Sequence, residues 1–156
     1  MTETNKADTD GSSGVFSAEE KAAMKERAAE VKAEKKRGKG READEANVLA
    51  KIAELTEPDR SLATRLHEII LEAAPQLSPK TWYGMPGYAK DGKVLVFFQS
   101  SAKFKTRYST LGFNDSARLD DGDLWPTAYA VADLTPAVEK TVSALIAKAA
   151  AAQGGA

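Results

Sequence analysis

The densest carboxylate group in the chain lies in "RLDDGDLW", where Asp120, Asp121 and Asp123 fall within four residues. Like charges set this close repel one another. A hard cation such as iron(II), calcium or magnesium would relieve that repulsion through oxygen ligation. The spacing is not that of an EF-hand: with Gly122 at the turn position, the first and third ligand places fall on Ala117 and Leu119. The plainer alternative is a solvated Asp-Gly turn. A second acidic surface is expected where Glu54, Glu57 and Asp59, joined by Glu68 and Glu72, spread over two helices. Such a ridge would hold a metal loosely and release it, and it equally suits an ordinary helix surface.

Cationic and aromatic residues offer other chemistry. Lys103, Lys105 and Arg107 alternate with Phe104 and Tyr108, a combination that binds an anionic ligand or single-stranded nucleic acid when the aromatics are free to stack. If the aromatics face a core instead, only a basic stripe remains, and nucleic acid is not the expected partner. Trp82, Met85 and Trp125 could line a pocket between sheet and helices for a small organic ligand. "GYAKDGKV" comes within one residue of a phosphate-cradling loop, but Val94 replaces the hydroxyl residue. Asp91-Gly92 before "KVLV" reads instead as a hairpin turn, because Gly tolerates the positive φ that such turns need. The single histidine, His67, sits at the flank of an apolar stripe and reads as a packed or half-exposed residue rather than a base. With no nucleophile elbow and no carboxylate pair set in a cleft, the inventory argues against an enzyme.

Composition narrows the classes further. The chain has 156 residues, no cysteine and a formal charge of −1, so thiolate metal sites, disulfides and a strong global field are excluded. No apolar run approaches the roughly 20 residues that span a bilayer, and the start lacks a signal-peptide pattern. A cytoplasmic protein without a membrane partner is expected, which leaves the sequon at Asn114-Asp115-Ser116 without meaning.

These residues must be positioned by a helix-rich first half and a strand-rich second half. Residues 1–15 are small and polar and read as a disordered tail. A charged helical extension over 16–42 begins at a capping box of Ser17 and Glu20 and ends near Gly38 and Gly40. Its apolar stripe is thin, Met24, Ala28 and Val31, so it should ride on the domain or project from it. The run Lys35, Lys36, Arg37, Lys39 and Arg41 reads as a solvated helix end. A second helix over roughly 44–55 carries Val48, Leu49, Ile52 and Leu55. A third opens at Pro58 and Asp59 and presents Leu62, Leu66, Ile69, Ile70 and Ala73. From residue 81 the period becomes two. In "KVLVFFQS", Val94, Val96 and Phe98 should face one way, Leu95 and Phe97 the other. "KFKTRYSTLGF" reads as a strand burying Phe104, Thr106 and Tyr108, and "LWPTAYAVADL" as an edge strand marked by Pro126. Thr135 and Pro136 should start a closing helix with Val138, Val142, Leu145, Ile146 and Ala149 inward. The order implies an α+β domain over 43–150, an antiparallel sheet packed with helices, followed by a flexible tail at 151–156.

"TWYGMPGYAKDGKVLVFFQ", "KFKTRYSTLGF" and "LWPTAYAVADLT" resemble the YdhG-like family of small bacterial proteins, a domain of unknown function grouped by fold with frataxin-like iron chaperones. The resemblance covers about residues 45–150, and the Trp-Tyr-Gly-Met-Pro-x-Tyr stretch at 82–88 is its most specific part. It implies a compact α+β fold and, for some members, delivery of iron to cluster or haem assembly proteins. No ligand set transfers with it. The motif explains architecture: Gly84 and Gly87 bend the chain, Pro86 stiffens it, and Trp82, Tyr83 and Tyr88 provide area to bury. Two functions therefore follow as expectations. One is non-enzymatic iron binding through the carboxylates above. The other is a binding module for a small ligand, protein or nucleic acid that uses Trp82, Tyr83, Met85, Tyr88, Trp125 and the cations at 103, 105 and 107.

Overall fold

The computed structural model describes residues 16–37 and 40–151, with the backbone alone for 33–37. The expected tails, and Lys35, Lys36, Arg37 and Lys39 of the basic run, lie outside the described residues or side chains. Among the described residues, five helices and five strands follow in the order α1 (Ala18–Arg37), α2 (Arg41–Ala53), α3 (Asp59–Ala73), β1 (Ser78–Trp82), β2 (Met85–Lys90), β3 (Lys93–Gln99), α4 (Ser101–Phe104), β4 (Ser109–Phe113), β5 (Ala128–Val131) and α5 (Pro136–Ala149). The strands form one antiparallel meander in chain order, so β1 and β5 are its edges. This is the α+β fold expected, with Pro126 just ahead of an edge strand. Among the described residues no helix is long and apolar enough to cross a membrane.

Local signals explain most element ends. The capping box closes as two reciprocal bonds, Ser17 N–H to Glu20 Oε1 at 2.9 Å and Glu20 N–H to Ser17 Oγ at 3.0 Å. Thr135 caps α5 by accepting from the Val138 amide, with Pro136 at the first helical position. Asp91 and Gly92 take φ of 52° and 80° in a two-residue hairpin, so the near phosphate loop runs into a strand, not a helix.

One sheet face carries the main core. The inward residues of α2 (Val48, Ile52), α3 (Leu62, Leu66, Ile69, Ile70) and α5 (Val142, Ile146, Ala149) close over Tyr88, Val96, Phe98, Leu111 and Phe113. Leu49, expected inward, is exposed. β3 departs from simple alternation. Tyr88 pairs with Val96 and Ala89 with Val94, so Leu95 is the extra residue of a bulge and joins Val96 in the helix-side core rather than Phe97 on the other face. "KFKTRY" is not a strand. Ser100 accepts from the Lys103 amide and starts the short α4, which Lys105 ends in a left-handed conformation at φ 57°. Phe104 is buried, while Tyr108, expected inward, is 44% exposed with the Arg107 guanidinium over its ring.

Candidate functional site

The opposite sheet face presents Trp82, Met85, Phe97 and Gln99, and α1 lies along part of it. The helix does not dock through the stripe expected of it: Met24 is 40% exposed and Ala28 is exposed. It docks through Glu19, Ala23, Glu26 and Glu30, which recur at the 4-3-4 spacing of one helix face. Ala23 alone among α1's described side chains is buried, against Met85 and Phe104. The three carboxylates reach cations or amides of the domain. Glu19 pairs with Lys105 at 3.0 Å, and Glu26 with Lys51 at 2.8 Å and Lys103 at 3.3 Å. Glu30 accepts from the backbone N–H groups of Tyr83 at 3.1 Å and Gly84 at 3.0 Å. Burial works to raise the Glu26 pKa, but the bond from Lys51 and the charges of Lys103 and Lys51 outweigh it and hold the carboxyl below its usual range. Glu19 is held low chiefly by its bond from Lys105.

The receiving turn is unusual in backbone. Tyr83 and Gly84 link β1 to β2 with φ of 55° and 75°, so the turn aims two successive amides at Glu30. Gly84 answers to a second constraint: a Cβ there would run into the Glu26 carboxylate and the Lys103 ammonium, which itself donates to Gly84 O at 2.8 Å.

Between α1 and the sheet a cleft of about 370 Å³ remains, lined mainly by Phe16, Met24, Trp82, Tyr83, Met85, Phe97 and Phe104, with Glu20 and Gln99 at its rim. Its aromatics are mutually braced: Trp82 meets Tyr83 edge-on with centroids 4.7 Å apart and Phe97 at 5.0 Å. The far end of the Phe97 ring crosses Gly112, where a Cβ would strike it. The cleft unites three of the sequence-based ligand candidates, Trp82, Tyr83 and Met85, and adds Phe16, Met24, Phe97 and Phe104. The missed residues come from three separate segments, α1 with its lead-in, β3 and α4, which no local pattern links.

The remaining candidates lie elsewhere. Tyr88 and Trp125 belong to the core on the helix side of the sheet, so neither shares a pocket with Trp82. Tyr88 is 1% exposed and bonds His67 Nδ1 at 2.8 Å, while His67 Nε2 meets Glu45 at 2.8 Å. His67 is thus the packed residue of the two alternatives expected, buried with both ring nitrogens partnered. A carboxylate can only accept, so Nε2 carries the proton. Burial, then the charge of Glu45, pushes the Tyr88 phenol well above its usual range. This Glu-His-Tyr series ties α2 and α3 to β2. Lys103, Lys105 and Arg107 do not line a sheet face. The first two hold α1 and the third covers Tyr108, so no basic face with free aromatic platforms forms.

Asp59 is an interior hub. One carboxylate oxygen accepts from Ser100 Oγ at 2.6 Å, Ser101 Oγ at 3.4 Å and the Ala102 amide at 3.0 Å, and the other from Ser109 Oγ at 3.0 Å. Burial works to raise its pKa, but these bonds, Ser100 foremost, bring it below the usual value. With its lone pairs spent on the fold, Asp59 points away from the acidic surface imagined for it. Glu57 caps the start of α3 by accepting from Ser61, and Glu68 pairs with Arg65, which also grips Glu139. Glu54 and Glu72 are exposed, as are Asp120, Asp121 and Asp123 in the β4–β5 connection, where Gly122 turns at φ 68°. Among the described residues no three His, Asp or Glu side chains converge to hold a metal ion. No protein-family model, curated protein or solved structure matches the chain.

Proposed function

We propose that this chain is a non-catalytic ligand-binding protein, of the YdhG-like kind its motif resembles, and that its site is the aromatic cleft beneath α1. The observation that carries this reading is the cleft itself. A folded domain with a closed core on one side of its sheet leaves seven large apolar side chains around open space on the other. Its volume falls within the range of small-molecule sites, and its wall is apolar with a few polar groups at the edge, as such sites are. Water held against those side chains would be released by an apolar ligand, at roughly 25 cal/mol per Å² of surface covered. Iron delivery draws no comparable support, since the carboxylates proposed for it are exposed singly, paired, or consumed by the fold.

The test is an amide NMR titration with small alkyl and aromatic alcohols on the wild-type chain and on Met24→Glu. Met24 lines the cleft yet is partly exposed, so a charge there should spoil the apolar wall without touching the main core. Perturbations confined to the cleft amides and lost in Met24→Glu would support the reading. Absence of binding, or binding indifferent to the substitution, would sink it. Iron(II) added anaerobically, with magnesium as control, tests the metal alternative through Asp120, Asp121 and Asp123.

A further inference from the structure

The apolar wall of the cleft ends at the β1–β2 turn, and there an anion already sits. The two oxygens of Glu30 are divided between two amides, Oε1 on Tyr83 N–H and Oε2 on Gly84 N–H, a bidentate seat for a planar carboxylate, and Oε1 also accepts from Arg27 at 3.4 Å. Both donors come from successive residues with positive φ, a backbone arrangement that presents neighbouring N–H groups to one anion. The Arg27 guanidinium thus adds positive charge beside the seat, whereas Lys103, bonded to Gly84 O, is already paired with Glu26. Tyr83 belongs to both features: its amide binds the carboxylate and its residue lines the cleft with Trp82 and Met85. Glu20, the acidic residue at the rim, is engaged with the Ser17 amide at the helix start.

Resting on the reading of the cleft as a ligand site, we propose that its ligand is an amphiphilic carboxylic acid, a fatty or arylalkanoic acid, and that Glu30 is an internal stand-in for its headgroup. The ligand carboxylate takes the seat on the Tyr83 and Gly84 amides, its apolar body fills the cleft, and Glu30 swings out to solvent. Glu30 is tethered and competes at high effective concentration, so a headgroup alone cannot displace it. An apolar body that covers the aromatic wall supplies the difference. Affinity in the wild-type chain is therefore limited by α1, which acts as a built-in competitor.

The experiment titrates octanoate, 1-octanol and acetate into the full chain, wild type and Glu30→Ala, followed by amide NMR. Octanoate should bind Glu30→Ala about tenfold or more tighter than wild type, the order of effect expected when a tethered competitor is removed. The Tyr83 and Gly84 amides should shift most. Octanol should bind both chains alike and acetate neither. Glu30→Asp, whose shorter side chain draws the carboxylate back while keeping the charge, should give the same change in smaller degree, and it serves if the alanine variant loosens α1. Octanoate binding that is no tighter in either variant, or that matches octanol in Glu30→Ala, overturns the headgroup assignment and leaves the apolar cleft intact. Failure of octanoate and octanol alike to bind any of the chains overturns both readings.

Discussion

The two faces of the sheet are closed by opposite means. On one, α2, α3 and α5 bury a continuous apolar core in which Leu66, Ile70, Leu95 and Leu111 are almost wholly removed from water. On the other, α1 contributes a single buried alanine and three carboxylates. Hydrophobic burial has no charge for salt to screen or pH to titrate, whereas the part-buried ion pairs of α1 lose strength to both, and surface pairs are worth about 0.2–1 kcal/mol each. The first face should therefore set the stability of the domain, and the second should open before the domain unfolds.

The largest effect should come from truncating the core. Leu66→Ala is expected to cost about 3 kcal/mol in urea denaturation, the middle of the range for buried Leu→Ala changes. Hydrogen exchange in α1 relative to the unfolding limit should not change, and a selective loosening of α1 would break the division. Asp59→Ala comes next, at about 2–3 kcal/mol, since it leaves the buried hydroxyls of Ser100 and Ser109 without an acceptor. Its folded pKa lies below the ordinary aspartate value of 3.8, so its stabilisation is present above that value and is lost as pH falls through the folded one. Asp59→Asn should flatten the acid limb of the stability–pH curve.

Gly84→Ala probes the second face. A φ of 75° costs an alanine about 1–2 kcal/mol, and the added methyl meets Glu26 and Lys103. Exchange at α1 amides should quicken by about tenfold while α3 amides change only with global stability. The smallest effect is that of solvent. Raising ionic strength from about 0.1 M to about 1 M shortens the Debye length from about 10 Å to about 3 Å and should speed α1 exchange a few-fold. Acid should do the same. Glu26 titrates below its ordinary value, so its grip on α1 is complete above that value and is lost as pH falls through the folded one. Insensitivity of α1 to both salt and acid would show that Ala23, not the carboxylates, holds the helix.

Legibility followed the range of the interactions. The capping box at Ser17, the cap at Thr135, the Asp91-Gly92 hairpin and the apolar stripe of α3 are settled within a few residues of chain, and all are readable. Asp59 was misplaced because its partners lie some 40 to 50 residues away, at Ser100, Ser101, Ala102 and Ser109. The alternation in "KFKTRY" suggested a strand, but the Ser100 cap and the left-handed Lys105 set a helical turn there instead. The docking face of α1 escaped notice for another reason: a period search for apolar residues passes over a stripe made of Glu19, Ala23, Glu26 and Glu30. Of the cleft, the "TWYGMP" stretch was legible as aromatic area. Phe97 was expected on the opposite face from Val96, where it lies, but nothing local linked it to Phe104 or Phe16.

Gly112 shows how such a site can be resized from behind. Because the Phe97 ring rests where a Cβ of residue 112 would stand, the depth of the cleft is fixed by an atom that is missing on the neighbouring strand. A single methyl at this position would force the Phe97 ring to shift and so reshape the cleft. If the cleft takes a ligand as proposed, the size it accepts would be tuned from a residue outside the cleft's own lining.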